Sequence, residues 1–374
     1  MTVGKFELGQ LAWIDANLVN PTLVQYRNLP HISAEHICSV TGELRGVKTA
    51  LADGMTSSKY LFQAGDVLYS KLRPYLRKAA IPEYAGLCSA DMYPLKIDTE
   101  RLLPSFFRLL LVSDDFTTYA NEESARSRMP KLNREQLFKY KFLLPDIDYQ
   151  RAVERATALK QAEMEVARLA AREQLREISN LAAALVTESI RNTPTKPYLL
   201  GDVLDEVKQG IGASWGNHPV LGATRGGLAP AKEQPGKMAP KYKPVTPGTV
   251  FYNPMRILIG SIAFIDDDDT PGITSPDYVA LRGKPGLVDS RWFYYWLRSH
   301  LGTQCILSLA RGAVRERMLF NRLADGKIDL PSPDAQEKAS RALRELKPLQ
   351  RALKSKLAEI DLLPQKILAQ AFEM

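Results

Sequence analysis

Cysteine and histidine are scarce in this 374-residue chain: Cys38, Cys88 and Cys305 lie far apart with no CxxC spacing, and His31, His36, His218 and His300 form no HExxH or finger pattern. Neither a disulfide framework nor a zinc site is expected. No run approaches the roughly 18 consecutive apolar residues of a membrane span. The N-terminus, MTVGKFELGQLAW, lacks a basic segment followed by an apolar one, so a cytoplasmic location is expected. P-loop and nucleophile-elbow patterns are missing too. GIGASWG misses the dinucleotide GxGxxG because the glycine after Gly210 and Gly212 comes one position late, at Gly216, and no helical pattern follows. YNPM at 252–255 lacks the second proline and the aromatic of an amino-methyltransferase NPPY motif and reads as a strand with a proline-marked bulge. No Glu-x-Lys follows Asp91 or Asp277 as a PD…ExK nuclease needs, so both aspartates are expected to fix turns through side-chain-to-backbone hydrogen bonds. The DDDD tract at 266–269, which has the charge to hold a divalent cation, reads as a solvated turn. Nothing resembles an active site.

What is present is positive charge and repetition. The formal charge is +8 and the pI about 9.2, a balance that favours a polyanionic partner. The length exceeds what one core usually fills, which predicts two domains. The two halves align in order. FELGQLAWIDANLVNPT answers to YLLGDVLDEVKQGIGAS. FQAGDVLYSKLRPYLRKAAIP answers to VTPGTVFYNPMRILIGSIAFI, with Gly65 opposite Gly248, Tyr69 opposite Tyr252 and Arg73 opposite Arg256. AGLCSADMYPLKI answers to PGITSPDYVALRG, and the sequence ending at Pro145 to that ending at Pro331.

Each half closes in a long helical pattern. From Asp148 to Arg191 there is no Gly or Pro, and Leu175, Ile178, Leu181 and Leu185 recur at three- and four-residue steps. The second pattern carries a heptad through Leu343, Leu346, Leu353, Leu357 and Ile360, with Gln350 at a seam position. Pro348 and Pro364 predict kinks or breaks in it. A helix of about 40 residues is about 60 Å long, and its apolar stripe needs a partner. The two helices are therefore expected to pair as an antiparallel coiled coil; packing of each on its own domain is the alternative. The fold class is α+β: strand-rich modules at 1–147 and 194–332, long helices at 148–193 and 333–374. Each module is expected to hold one amphipathic helix, N-capped at Ser105 and Ser290. The Gly-, Pro- and Lys-rich stretch 209–247 reads as a long irregular surface.

Basic clusters recur at matching places. Lys71, Arg73, Arg77, Lys78, Arg126, Arg128 and Lys131 in the first module are answered by Arg225, Lys237, Lys241, Lys243, Arg256, Arg311, Arg315 and Arg317 in the second, with Tyr75, Trp215 and Tyr242 beside them. Lys and Arg neutralise phosphates and release counterions, and aromatic rings can line such a surface. A set of ordinary solvated faces is the bland reading of the same residues. Phosphate contact is expected at Lys71, Arg73 and Lys78, with groove reading by segments 40–60 and 209–243.

AGDVLYSKLRPYLRK resembles the GD-[IV]-[LF]-x-x-K-[LIV]-R-P-Y-L-x-K stretch of target-recognition domains in specificity (S) subunits of type I restriction–modification systems. LGDV at 200–203, the junctions FLLPDIDYQ and DLPSPDAQ, and the ending LLPQKILAQAF are similar to that family as well. The second module departs from it with FYNPMRILIG, and both junctions lack the Glu of the family's E-Q pair. The resemblance implies a subunit without catalytic activity that recognises a bipartite double-stranded DNA site, one half per module. It implies partners: methyltransferase subunits, two of them, assembled on the helices, and restriction–translocase subunits. It implies no cofactor in this chain, with S-adenosylmethionine and ATP on the partner subunits. A DNA-binding or scaffold component of another defence complex, without a methyltransferase, is the alternative. An enzyme using Asp91 and Asp277 is a further one.

Overall fold

The computed structural model describes residues 4–15, 17–125, 129–233, 235–236, 238–310 and 317–372. It divides into two compact units, Met1–Ala170 with Lys356–Met374, and Ala171–Ser355. The two expected long helices exist, at Ile147–Arg191 and Pro333–Phe372. Each unit contains one strand-rich module together with part of both helices.

The internal repeat is a repeat in space. In the first unit Gly4–Glu7 pairs antiparallel with Lys141–Leu144, and in the second Lys196–Leu199 pairs with Lys327–Leu330. The Leu8 N–H donates to the Tyr140 carbonyl and the Leu200 N–H to the Gly326 carbonyl, both at 2.8 Å. Each module is centred on a four-stranded sheet. In the first its order is Ala12–Ile14, Met92–Ile97, Val67–Ser70, Ala79–Ala80; in the second, Leu204–Glu206, Val279–Gly283, Val250–Tyr252, Ile262–Phe264. The period-two alternation of a strand explains why these central strands are buried on both faces. Val67 and Tyr69 face a core shared with helices, whereas Leu68 faces a smaller core with Phe62 and Met92. Val250 and Tyr252 on one side, and Phe251 on the other, repeat the division.

Each module carries two successive helices rather than one: Pro104–Leu111 and Asp114–Ser124, then Ser290–Arg298 and His300–Leu309. The caps lie upstream of the serines expected from sequence. Leu103 precedes Pro104, which needs no N–H at the first helical position, and the Asp289 carboxylate accepts the Trp292 N–H. Segment 209–247 is less irregular than its composition suggests, for it contains the hairpin Leu221–Thr224/Gly227–Pro230.

Both long helices start alike. Asp146 Oδ1 accepts the Tyr149 N–H at 2.9 Å and Ser332 Oγ the Ala335 N–H at 3.3 Å. One turn in, a buried glutamine ties the helix to its module. Gln150 accepts from the Leu103 N–H and donates to the Arg101 and Pro145 carbonyls; Gln336 accepts from the Asp289 N–H and donates to the Leu287 and Pro331 carbonyls. The second helix passes Pro348 and Pro364 without a break.

The helices run antiparallel within the first unit, where Lys160 meets Gln370 at 3.3 Å and Arg168 meets Asp361 at 3.1 Å. In the second unit Leu343 and Leu346 share a core with Ala182 and Val186, with Ile178 and Leu185 packed against it, and with Trp292 and Trp296 of the module. Helix pairing and packing on the module, opposed as alternatives by the sequence, are thus one core. Ile360 is buried and Leu175, Leu353 and Leu357 are half-buried, but Leu181 is 49% exposed and lies off the seam, which runs through Ala182.

The DDDD tract is not a solvated turn. Asp266 is buried and pairs with Arg291 and, at 3.3 Å, with Lys347 of the second long helix; Asp269 accepts from Lys347 at 2.9 Å and Arg351 at 2.5 Å. Burial by itself would raise the Asp266 carboxyl, but hydrogen bonds from Arg291 and the Asp267 amide, together with the charges of Arg291 and Lys347, bring it below the ordinary range. Hydrogen bonding from Lys347, then Arg351, brings Asp268 down to about 2. A carboxyl depressed in the folded state contributes stability above its unfolded value near 3.9, and that contribution disappears as pH falls toward the folded value. The melting temperature of the second unit is therefore expected to fall between about pH 4 and pH 2, and to fall less in Asp268→Asn. Parallel calorimetric pH series on both proteins check this; identical pH profiles would rule the network out as the cause.

Candidate nucleic-acid interface

The basic run of the first module enters from a tight turn. Gly65 adopts φ 85, its N–H donating to the Pro82 carbonyl at 2.9 Å, and the Asp66 carboxylate accepts the Gln63 N–H at 2.8 Å. Burial holds the Asp66 carboxyl above its usual range. Gly248 repeats the left-handed turn at φ 85, with Thr249 Oγ1 accepting the Thr246 N–H in place of the aspartate. A left-handed φ is cheap for glycine, which accounts for its recurrence at both sites. The expected strand–turn–strand follows: Val67–Ser70, a 3-10 turn at Pro74–Leu76, and Ala79–Ala80.

Arg73 and Arg77 flank that turn at φ 51 and φ 49, a conformation that non-glycine residues adopt only at a cost. Arg73 is exposed and Tyr75 stands at the tip, 52% exposed. The other cations are engaged. Arg77 pairs with Asp114 at 2.5 Å, and Lys78 donates to the Ala34 carbonyl at 2.5 Å. Lys71 is buried, donating to the Ala90 carbonyl and lying 4.8 Å over the Tyr93 ring. Burial lowers its pKa. Lys71 is therefore tied into the scaffold of the turn, whereas Arg73 has no side-chain hydrogen bond or ion pair among the described residues.

The second module repeats this division. Arg256 is exposed on a turn in which Asn253 Oδ1 accepts the Met255 N–H at 3.0 Å. Lys243 points inward, its Nζ donating to the Tyr278 carbonyl at 2.6 Å, and burial lowers it as well. Like Lys71 it is tied to the turn that holds the repeated aspartate. Those aspartates do not cap their turns: Ser89 Oγ accepts the Asp91 N–H and Ser275 Oγ the Asp277 N–H, both at 3.3 Å. The carboxylates instead reach the matching cations, Asp91 to Lys131 at 3.8 Å and Asp277 to Arg317 at 3.2 Å. Each module thus presents, at matching positions, an exposed arginine on a turn, Arg73 or Arg256, and an exposed cation leashed by a carboxylate, Lys131 or Arg317.

Lys241 is exposed and Tyr242 half-buried beside the 3-10 turn Ala239–Lys241, while Trp215 is 36% exposed on Gly212–Asn217. Arg225 is exposed on the turn of the 221–230 hairpin. Arg126, Arg128, Lys237, Arg311 and Arg315 lie outside the described residues. Arg134, not singled out from sequence, donates to the Tyr60 hydroxyl at 3.1 Å in the first module. Its signal was the Asn133 cap that starts the helical turn Arg134–Phe138. Among the described residues no group of three or more His, Cys, Asp and Glu side chains is placed to hold a metal ion, and no helix is long and apolar enough to cross a membrane.

No family model matches the chain. In sequence, 191 residues, 50% of the chain, are 35% identical to the type I restriction enzyme EcoDI specificity subunit of Escherichia coli, and the match spans 41% of that protein's length. In fold, 99% of the chain corresponds to 97% of a chain solved in work on complex assembly and conformational transition of the type I R-M system, with a TM-score of 0.67 at 20% identity. A crystal structure of the HsdS subunit from Thermoanaerobacter tengcongensis covers 99% of this chain and 96% of its own, with a TM-score of 0.47 at 20% identity. Half of the chain is thus similar in sequence to a type I restriction enzyme specificity subunit, over less than half of that protein's length, and nearly all of it shares the fold of a chain from the type I R-M system.

Proposed function

We propose that this chain is a non-catalytic DNA-recognition subunit that binds a bipartite double-stranded target, one half-site per module, and brings partner methyltransferase and restriction–translocase subunits to it. The observation that carries the reading is the recurrence of an exposed turn arginine and a carboxylate-leashed cation at equivalent places in two modules of one plan. A cation held by one weak, exposed ion pair can exchange its carboxylate for a phosphate at little cost. Arg73 and Arg256 on exposed turns suit phosphate contact, and the hairpin at 221–230 and segment 40–60 suit the grooves. Phosphate contacts position the protein and groove contacts specify sequence. Two readers on one pair of long helices would fix the half-site spacing as a protein dimension, much as dimeric DNA-binding proteins measure half-sites. Two methyltransferase subunits are assigned to the helix pair, with S-adenosylmethionine and ATP bound by the partner chains.

Selection from a random duplex library, with and without a co-expressed methyltransferase, tests the reading. Two short motifs at one fixed spacing are the expected outcome. Arg73→Gln should weaken binding to all sequences alike and reduce the slope of log affinity against log salt by about one. A steep salt slope with no enriched motif in either preparation would overturn sequence recognition.

A further inference from the structure

A second basic feature of the second unit is concave. A cleft of about 260 Å³ lies among the 224–227 hairpin turn, the helix Ser290–Arg298 and the two long helices. Through Ser179, Arg225 and Arg298 it shares its wall with a larger one of about 610 Å³ along the 257–260 turn. Three cations line the smaller cleft, Arg225, Arg298 and Lys354, beside Tyr294, Tyr295 and Gln350. Among the described residues no carboxylate lines either cleft.

Arg298 and Lys354 act first as clamps on the hairpin turn. Arg298 Nη2 donates to the Arg225 carbonyl at 2.7 Å and Lys354 Nζ to the Gly226 carbonyl at 2.8 Å. Arg298 Nη1 also holds the Gly260 and Ile262 carbonyls at 3.1 and 3.0 Å. These acceptors are neutral, so they orient the two cations without cancelling their charge. Lys354 is exposed as a residue, yet its ammonium is held below the usual lysine range, first by loss of water and then by repulsion from Arg298 and Arg351. The Arg225 guanidinium makes no hydrogen bond or ion pair among the described residues, while its backbone is pinned at the cleft mouth by the clamp. Converging, pre-positioned cations with no counter-charge favour an anion, and the fork of Arg225 matches the oxygens of a phosphate.

We infer that this cleft is a phosphate-binding site, formed by Arg225, Arg298 and Lys354, that joins the recognition hairpin to the helix pair. The phosphate is either carried by a free small molecule, whose body would lie against the tyrosines and the apolar 257–259 turn, or it belongs to a DNA backbone. The inference does not depend on sequence recognition, because phosphate titration reads the cleft directly and can fail while duplex selection succeeds.

Calorimetric titration of the full chain with sodium phosphate, against sodium chloride at equal ionic strength, tests it. Saturable binding of phosphate over chloride is expected, about tenfold weaker in Arg225→Gln, an exposed position where the substitution leaves packing untouched. Lys354→Gln should weaken it as well. Phosphate that binds no better than chloride, or equally well to Arg225→Gln, overturns the site. The duplex arm assigns the source: a salt slope reduced by about one in Arg225→Gln places a backbone phosphate in the cleft, and an unchanged slope alongside lost phosphate binding places a free phosphate compound there.

Discussion

Gln336→Ala is expected to destabilise the second unit by about 3 kcal/mol, because it leaves one N–H and two carbonyls at a buried helix start without a partner. The side chain is 1% exposed, so no bulk water replaces it. Gln150→Ala, whose side chain is 0% exposed and makes the matching three bonds, is the same experiment on the first unit. Denaturant unfolding followed by tryptophan fluorescence separates the two, since Trp292 and Trp296 are buried in the second unit. Gln336→Ala should shift that transition and Gln150→Ala should leave it in place. A shift below about 0.5 kcal/mol for Gln336→Ala would mean the glutamine is incidental to the junction.

The helix seam yields the other large effect. Leu343 is fully buried, and truncation to alanine removes buried methyl groups and opens a cavity, at an expected cost of about 3 kcal/mol. Leu181→Ala should stay within about 0.5 kcal/mol, because that side chain is half in solvent already. The contrast is read in the same unfolding experiment. Equal losses at the two sites would restore Leu181 to the interface and displace Ala182.

That misplacement shows how far the sequence could be read. Periodicity located both long helices to within a few residues, and the ordered likenesses between halves revealed two modules of one plan. Choosing the buried face was harder, because leucine outranks alanine in hydrophobicity while a close helix approach can favour the smaller side chain at 182. The inward course of Lys71 and Lys243 was hidden for a related reason. Lysine looks like surface in a sequence, yet a backbone carbonyl on a neighbouring turn can draw its ammonium inward. The aspartates at 266–269 found partners some 80 residues away, at 347 and 351, which no local pattern encodes. Gly65, Gly248 and the strands after them were legible because turn chemistry is local.

The division of the chain between its two units also orders its synthesis. Ala171–Ser355 is one uninterrupted stretch, whereas the first unit needs Lys356–Met374 to complete it. Leu368 and Ala371 belong to its core, and Phe372 lies 5.6 Å, ring to ring, from Phe106. A ribosome delivers those residues only after the whole of Ala171–Ser355. The module translated first thus waits with an open core while the one translated second has everything it needs, so folding to completion runs against the direction of translation.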